Sequence, residues 1–136
     1  MKKVKSTFFA IAILLLTACN SKAQDKTLST SVTSSVEVIQ FHSEHRCQTC
    51  LKIETLTKAT LSSDFATVPF KLVNVDDKQN AKLAEKFEAT GTALFLYDAK
   101  SGRKKDLTEF AFMKAGEEGV FKVELKKYIE DFISTK

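Results

Sequence analysis

The sequence has no tryptophan, a single proline and four glycines in 136 residues. The glycines never gather into the loop that cradles a phosphate, which excludes chemistry built on such a loop. Histidine occurs twice, and both copies, His42 and His45, fall within one stretch, FHSEHRCQTC. No serine-centred triad can be assembled when every imidazole is committed to one loop. The apolar run at residues 8–16, FFAIAILLL, has nine residues. That is about half of what a helix needs to cross a ~30 Å hydrocarbon core. No internal repeat and no second linker break the rest of the chain.

What is present begins with an address. Lys2, Lys3 and Lys5 precede the apolar run, whose length suits the core of a secretory signal. The run leads into Leu16-Thr17-Ala18-Cys19. Small residues before a cleavage point are general for secretion, and a cysteine directly after them resembles the bacterial lipoprotein lipobox. The resemblance implies cleavage before Cys19, a diacylglyceryl thioether on its sulfur and an acylated amine; an ordinary signal with a chance cysteine is the alternative. Residues 1–18 are then a signal peptide, 19–35 a lipidated flexible tether and 36–136 one folded domain. Several acyl chains on one residue anchor stably, so the chain is expected on a bacterial membrane, facing the periplasm or the cell exterior. Loss of Lys2, Lys3 and Lys5 takes the 21 basic residues to 18 against 17 acidic ones. A chain so nearly neutral has no basic field to attract nucleic acid. The tether is polar and rich in Ser and Thr, and coil of that length reaches roughly 20–25 Å.

The remaining hundred or so residues suit one core. Residues 36–42 (VEVIQFH) alternate and predict a strand. Residues 48–61 predict a helix carrying Leu51, Ile53, Leu56 and Leu61. Residues 68–76 predict a second strand, with Pro69 near its start, where a missing donor is tolerated. Residues 77–89 place Ala81, Leu83, Ala84 and Phe87 at helical spacing, with Asp76 or Asp77 as a cap. Residues 92–98 and 103–109 predict a hairpin of two strands around a turn at 99–102. Residues 117–133 predict a closing helix with a stripe of Val120, Phe121, Leu125, Tyr128, Ile129 and Phe132. The apolar piece at 110–113 lies between elements and is expected to pack on the core rather than to bind anything.

The order βαβαββα puts Cys47-Gln48-Thr49-Cys50 where the first strand gives way to the first helix. With Cys19 consumed by lipid, these are the remaining thiols. In an oxidising compartment so close a pair is expected to be a disulfide or a cycling dithiol. The layout and this motif resemble the thioredoxin superfamily. FHSEHRCQTC, GTALF at 91–95 and DLTEFAFM at 106–113 resemble more closely small bacterial thioredoxin-like proteins called nitrophenyl compound nitroreductase subunit, ArsF family. The likeness spans about residues 36–132. It implies an α/β fold, a three-layer sandwich around a four-stranded mixed sheet.

A cysteine capping a helix meets unpaired backbone N–H groups and the positive end of the helix dipole, which favour thiolate over thiol. CxxC pairs of this kind can have a first-cysteine pKa well below the free value of about 8.5. Arg46 adds a permanent charge beside Cys47, and His42 and His45 add more when protonated. Cys47 is expected as the nucleophile on a protein disulfide and Cys50 as the residue that resolves the mixed disulfide. A thiol–disulfide oxidoreductase of this kind needs protein disulfides or dithiols and a thiol electron partner, and no cofactor. A purely structural bridge is a poor alternative, because closing so small a loop removes little unfolded-state entropy.

Several positions depart from the thioredoxin pattern, which has a Trp before the first cysteine and Gly-Pro between the two where this chain has Arg46 and Gln48-Thr49. The pattern's proline facing the CxxC is replaced by Thr92 or Ala93, after Gly91, and its buried acid in the first strand by Gln40, an amide that cannot take a proton from Cys50. Glu44 is expected to be a solvated loop residue. The same departures leave two other readings open. His42, His45, Cys47 and Cys50 form H-x2-H-x-C-x2-C, a donor set for Zn²⁺ or Cu(I). A redox-silent subunit tethered to a membrane complex is the third.

Overall fold

The computed structural model describes residues 35–135; the apolar run at 8–16, Cys19 and the tether therefore lie outside the described residues. Within them the order is β1 (Val36–His42), α1 (Gln48–Asp64), β2 (Phe70–Asn74), a 3-10 turn (Lys78–Asn80), α2 (Ala81–Phe87), β3 (Ala93–Asp98), β4 (Lys104–Asp106), α3 (Thr108–Lys114) and α4 (Glu118–Ser134). The strands form one mixed sheet in the order β2-β1-β3-β4. β1 runs parallel to β2 and antiparallel to β3, which runs antiparallel to β4. No described helix is long and apolar enough to cross a membrane.

Alternation along β1 and β3 divides the core. Val36, Val38, Leu94 and Leu96 face α1, α3 and α4, where they meet Ile53, Leu56, Ala111, Phe121, Leu125, Ile129 and Phe132. Ile39, Phe41, Phe95 and Tyr97 face the other way and meet Phe87 of α2. There the ring of Phe87 lies 5.3 Å from Phe41, 5.1 Å from Phe95 and 5.2 Å from Tyr97. Edge-on and tilted pairs at these separations add to simple burial. An α/β arrangement with helices on both faces of a four-stranded mixed sheet agrees with the sequence expectation.

Five local expectations need correction, one of them the piece at 110–113, where Phe110 and Ala111 pack on the core but Phe112 and Met113 are exposed. Leu51 is exposed on α1, whose buried face holds Thr57 and Thr60 beside Ile53, Leu56 and Leu61. The helix expected over 77–89 opens as a 3-10 turn, with Asp77 accepting from the Gln79 N–H at 3.1 Å, and leaves Ala81 exposed. Val120 of α4 is exposed rather than buried. The largest difference is α3, because the strand expected over 103–109 stops at Asp106. Leu107 turns into the core, its N–H donating to the Leu94 carbonyl at 2.8 Å, while the Leu94 N–H donates to the Thr108 hydroxyl at 3.1 Å. With that strand position satisfied by a turning chain, β4 has nothing further to pair with, and a seven-residue helix follows.

Candidate functional site

The loop after β1 delivers Cys47 to the start of α1 and is pinned from several sides. The Val75 N–H donates to the His42 carbonyl at 2.8 Å, and the Glu44 N–H to Asp76 Oδ2 at 2.7 Å. Ser43 Oγ donates to the His45 carbonyl at 3.1 Å. Cys47 is the N-cap of α1, with extended φ and ψ of −76° and 159°. Its Sγ accepts the Cys50 N–H at 3.1 Å, and its carbonyl accepts the Leu51 N–H at 3.1 Å. The first turn of α1 holds no acidic residue. The amide dipoles at this helix end are therefore uncompensated by a local carboxylate. A sulfur takes here the position that a serine or aspartate oxygen usually takes.

The two sulfurs are bonded, 2.08 Å apart, with the Cα atoms 5.1 Å apart. Their environments differ sharply, since Cys47 is exposed and Cys50 is buried. Behind Cys50 lie two polar groups. The Thr92 hydroxyl donates to Cys50 Sγ at 3.1 Å, and the fully buried Gln40 donates through Nε2 to the Cys50 carbonyl at 2.9 Å. Gln40 Oε1 has no hydrogen-bond partner among the described residues. Of the two positions expected to face the dithiol, Thr92 makes the contact. Ala93 begins β3 opposite Phe41 and belongs to the core on the α2 side.

Arg46 sits beside Cys47, but its guanidinium lies 2.6 Å from Glu54, with side chains only 20% and 15% exposed. Lys58 pairs with the other oxygen of the same carboxylate. Burial pushes the Glu54 carboxyl up, and hydrogen bonds and charge from Lys58 and Arg46 outweigh it, holding the group below its ordinary value. Arg46 therefore brings a carboxylate with it, and its field at Cys47 is weaker than a lone guanidinium would give. Glu54 escaped the sequence reading. The signal was there, because residue 54 lies two helical turns beyond Cys47 on the same face, four before Lys58.

The histidines do not converge on the sulfurs. His42 is half-buried at the end of β1, its Nδ1 2.8 Å from the Ser43 carbonyl, and His45 is exposed. Among the described residues no group of three or more His, Cys, Asp or Glu side chains is arranged to hold a metal ion. Glu44 is exposed, as expected of a loop residue.

No family model matches the chain, and no curated protein does. Among solved structures, one described as a malarial protein aligns with a TM-score of 0.41 and 23% identity, covering 58% of this chain and 93% of the other. A likeness at that level carries no functional argument.

Proposed function

We propose that the chain is a thioredoxin-like thiol–disulfide exchange protein, working through Cys47 and Cys50 and related to the ArsF-type bacterial proteins that its motifs resemble. The observation that carries the reading is the asymmetry of the pair: an exposed sulfur at the mouth of α1 bonded to a buried one. In the reduced protein, the Cys47 thiolate attacks a substrate disulfide and releases one substrate sulfur, which takes up a proton. The Cys50 thiol gives up its proton, attacks Cys47 and releases the second substrate sulfur. Two electrons pass from the dithiol to the substrate, and the Cys47–Cys50 bond is restored. Running the steps backwards oxidises a substrate dithiol. The strand order β2-β1-β3-β4, with a parallel β1–β2 pair bridged by α1, supports the fold assignment. The His/His/Cys/Cys metal cage is less favoured, because the described imidazoles turn to backbone or solvent.

The test is an equilibrium titration of the dithiol against glutathione buffers. The expected result is a reversible two-electron couple that disappears in Cys47→Ser; an all-or-none, non-exchanging disulfide would contradict it. The chain works tethered at a bacterial membrane through lipid on Cys19, with protein disulfides or dithiols and a thiol electron donor as partners. Palmitate labelling that is lost in Cys19→Ala is the outcome expected for the anchor, and labelling that survives the substitution would refute it.

A further inference from the structure

The chain enters the fold at a corner that gathers positive charge. Ser35, the first described residue, accepts the Ala99 N–H through its carbonyl at 2.8 Å, and Val36 pairs with Asp98. Whatever precedes Ser35 therefore arrives beside the turn between β3 and β4. That turn and the edge strand after it read Lys100-Ser101-Gly102-Arg103-Lys104-Lys105. Three of these cations are seated on rings: Arg103 over Phe132 at 4.1 Å, Lys104 over Phe87 at 5.6 Å and Lys105 over Tyr128 at 4.6 Å. Lys86 of α2 joins them over Tyr97 at 4.3 Å. Among the described residues none of Lys86, Lys100, Arg103, Lys104 and Lys105 has a carboxylate within ion-pair distance, whereas Lys52, Lys58, Lys122 and Lys126 on α1 and α4 each have one. Asp98 is turned onto its own loop, accepting the Ser101 hydroxyl at 2.7 Å and the Lys100 N–H at 3.0 Å. Asp131 is the one carboxylate that shares a groove with Arg103, Lys104 and Lys105.

We propose that this corner docks on anionic phospholipid headgroups and seats the domain on its own membrane with the disulfide turned away from it. The proposal rests on the lipid anchor at Cys19 put forward above, and not on the exchange chemistry. A lysine or arginine is drawn to an anionic bilayer only within about one Debye length of its surface, so such a cluster acts where something holds it close. A tether whose coil reach is roughly 20–25 Å supplies that closeness, and it joins the domain at this corner. The disulfide lies at the other end of the same strand. β1 starts at the corner, and its seven residues, at about 3.3 Å each, carry the chain roughly 20 Å towards Cys47. Lysine on an edge strand also discourages pairing with a second chain. That role accounts for Lys104 and Lys105 but not for Lys86, Lys100 and Arg103, which lie off the strand.

The test uses the full-length lipidated protein in phosphatidylcholine vesicles, with or without about 30% phosphatidylglycerol. A brief pulse of acetic anhydride, read residue by residue by mass spectrometry, reports how freely each lysine meets the reagent. On anionic vesicles Lys100, Lys104 and Lys105 are expected to react about fivefold more slowly than on neutral ones, with Lys52 at the start of α1 unchanged. The slowing should vanish at about 0.5 M salt, where the Debye length is roughly 4 Å. Lys104→Glu combined with Lys105→Glu should return Lys100 to its rate on neutral vesicles, while Lys104→Arg combined with Lys105→Arg should keep it slow. Equal rates on the two kinds of vesicle, or Lys52 slowed as much as Lys105, overturn the proposal. Slowing by an added acidic polypeptide but not by phosphatidylglycerol overturns it in favour of a protein partner. A protein that floats with neither kind of vesicle removes the anchor reading instead, and the docking surface with it.

Discussion

At the scale of single residues, the site is a set of hydrogen bonds that treat two sulfurs differently. Cys47 Sγ receives a backbone N–H, whereas Cys50 Sγ receives the Thr92 hydroxyl. Donors stabilise a thiolate more than a thiol, and bonds to charged groups are worth more than neutral ones. In the proposed exchange Cys50 must ionise to resolve a mixed disulfide, and the amide of Gln40 cannot take its proton. The Thr92 donor is then the nearest help that Cys50 has. Replacing it with the near-isosteric valine should slow resolution of a Cys47 mixed disulfide roughly fivefold, the kinetic equivalent of about 1 kcal/mol. Rapid-mixing measurement of thiol release checks this, and an unchanged rate would show the contact to be incidental. Sequence alone offered Thr92 and Ala93 as equals. Only the register of β3, which gives Ala93 to the core on the α2 side, separates them.

Among elements, α1 carries both the disulfide and the ion pairs that fix its first turns. Glu54 receives Arg46 from the loop and Lys58 from the next turn, so one carboxylate ties the approach to the helix. Its folded pKa is depressed, so its contribution to stability is present above the unfolded carboxylate range and is lost as pH falls through the folded value. Urea unfolding followed from pH 6 down to pH 3 should therefore show a loss that Glu54→Gln flattens. The variant should also be less stable at pH 7 by about 1–2 kcal/mol, since it leaves a mostly buried guanidinium without its counter-charge. Equal acid sensitivity in both proteins would contradict this account. The elements themselves were legible to different degrees. The bounds of β1, α1 and α4 matched closely, although Leu51 and Val120 proved exposed rather than buried. α3 was missed because its seven residues are too few to show a period and follow alternating residues that suggested more strand. The marks of a helix were nonetheless present, with Glu109 in the first turn, Lys114 in the last and Gly116 just beyond.

For the molecule as a whole, the sheet acts as a platform that holds the disulfide at one end of its two inner strands. β1 leads through residues 43–47 into α1, and β3 begins beside Thr92, so two neighbouring strands carry the disulfide and its hydroxyl donor to the same end of the sheet. The aromatic cluster under α2 and the aliphatic core under α1 and α4 hold those strands in register. The position of the CxxC was readable from the chain because it depends on element order alone. The partner of Arg46, the contact of Thr92 and the exposure of Phe112 were not, because each depends on which faces meet after folding. The claim on which the rest depends is that reduced Cys47 is held ionised by the end of α1. The direct measurement is its rate of alkylation by iodoacetamide across a pH series, with a short Cys-containing peptide as reference. The account predicts a midpoint well below the peptide value of about 8.5; a midpoint that coincides with the peptide's would contradict it.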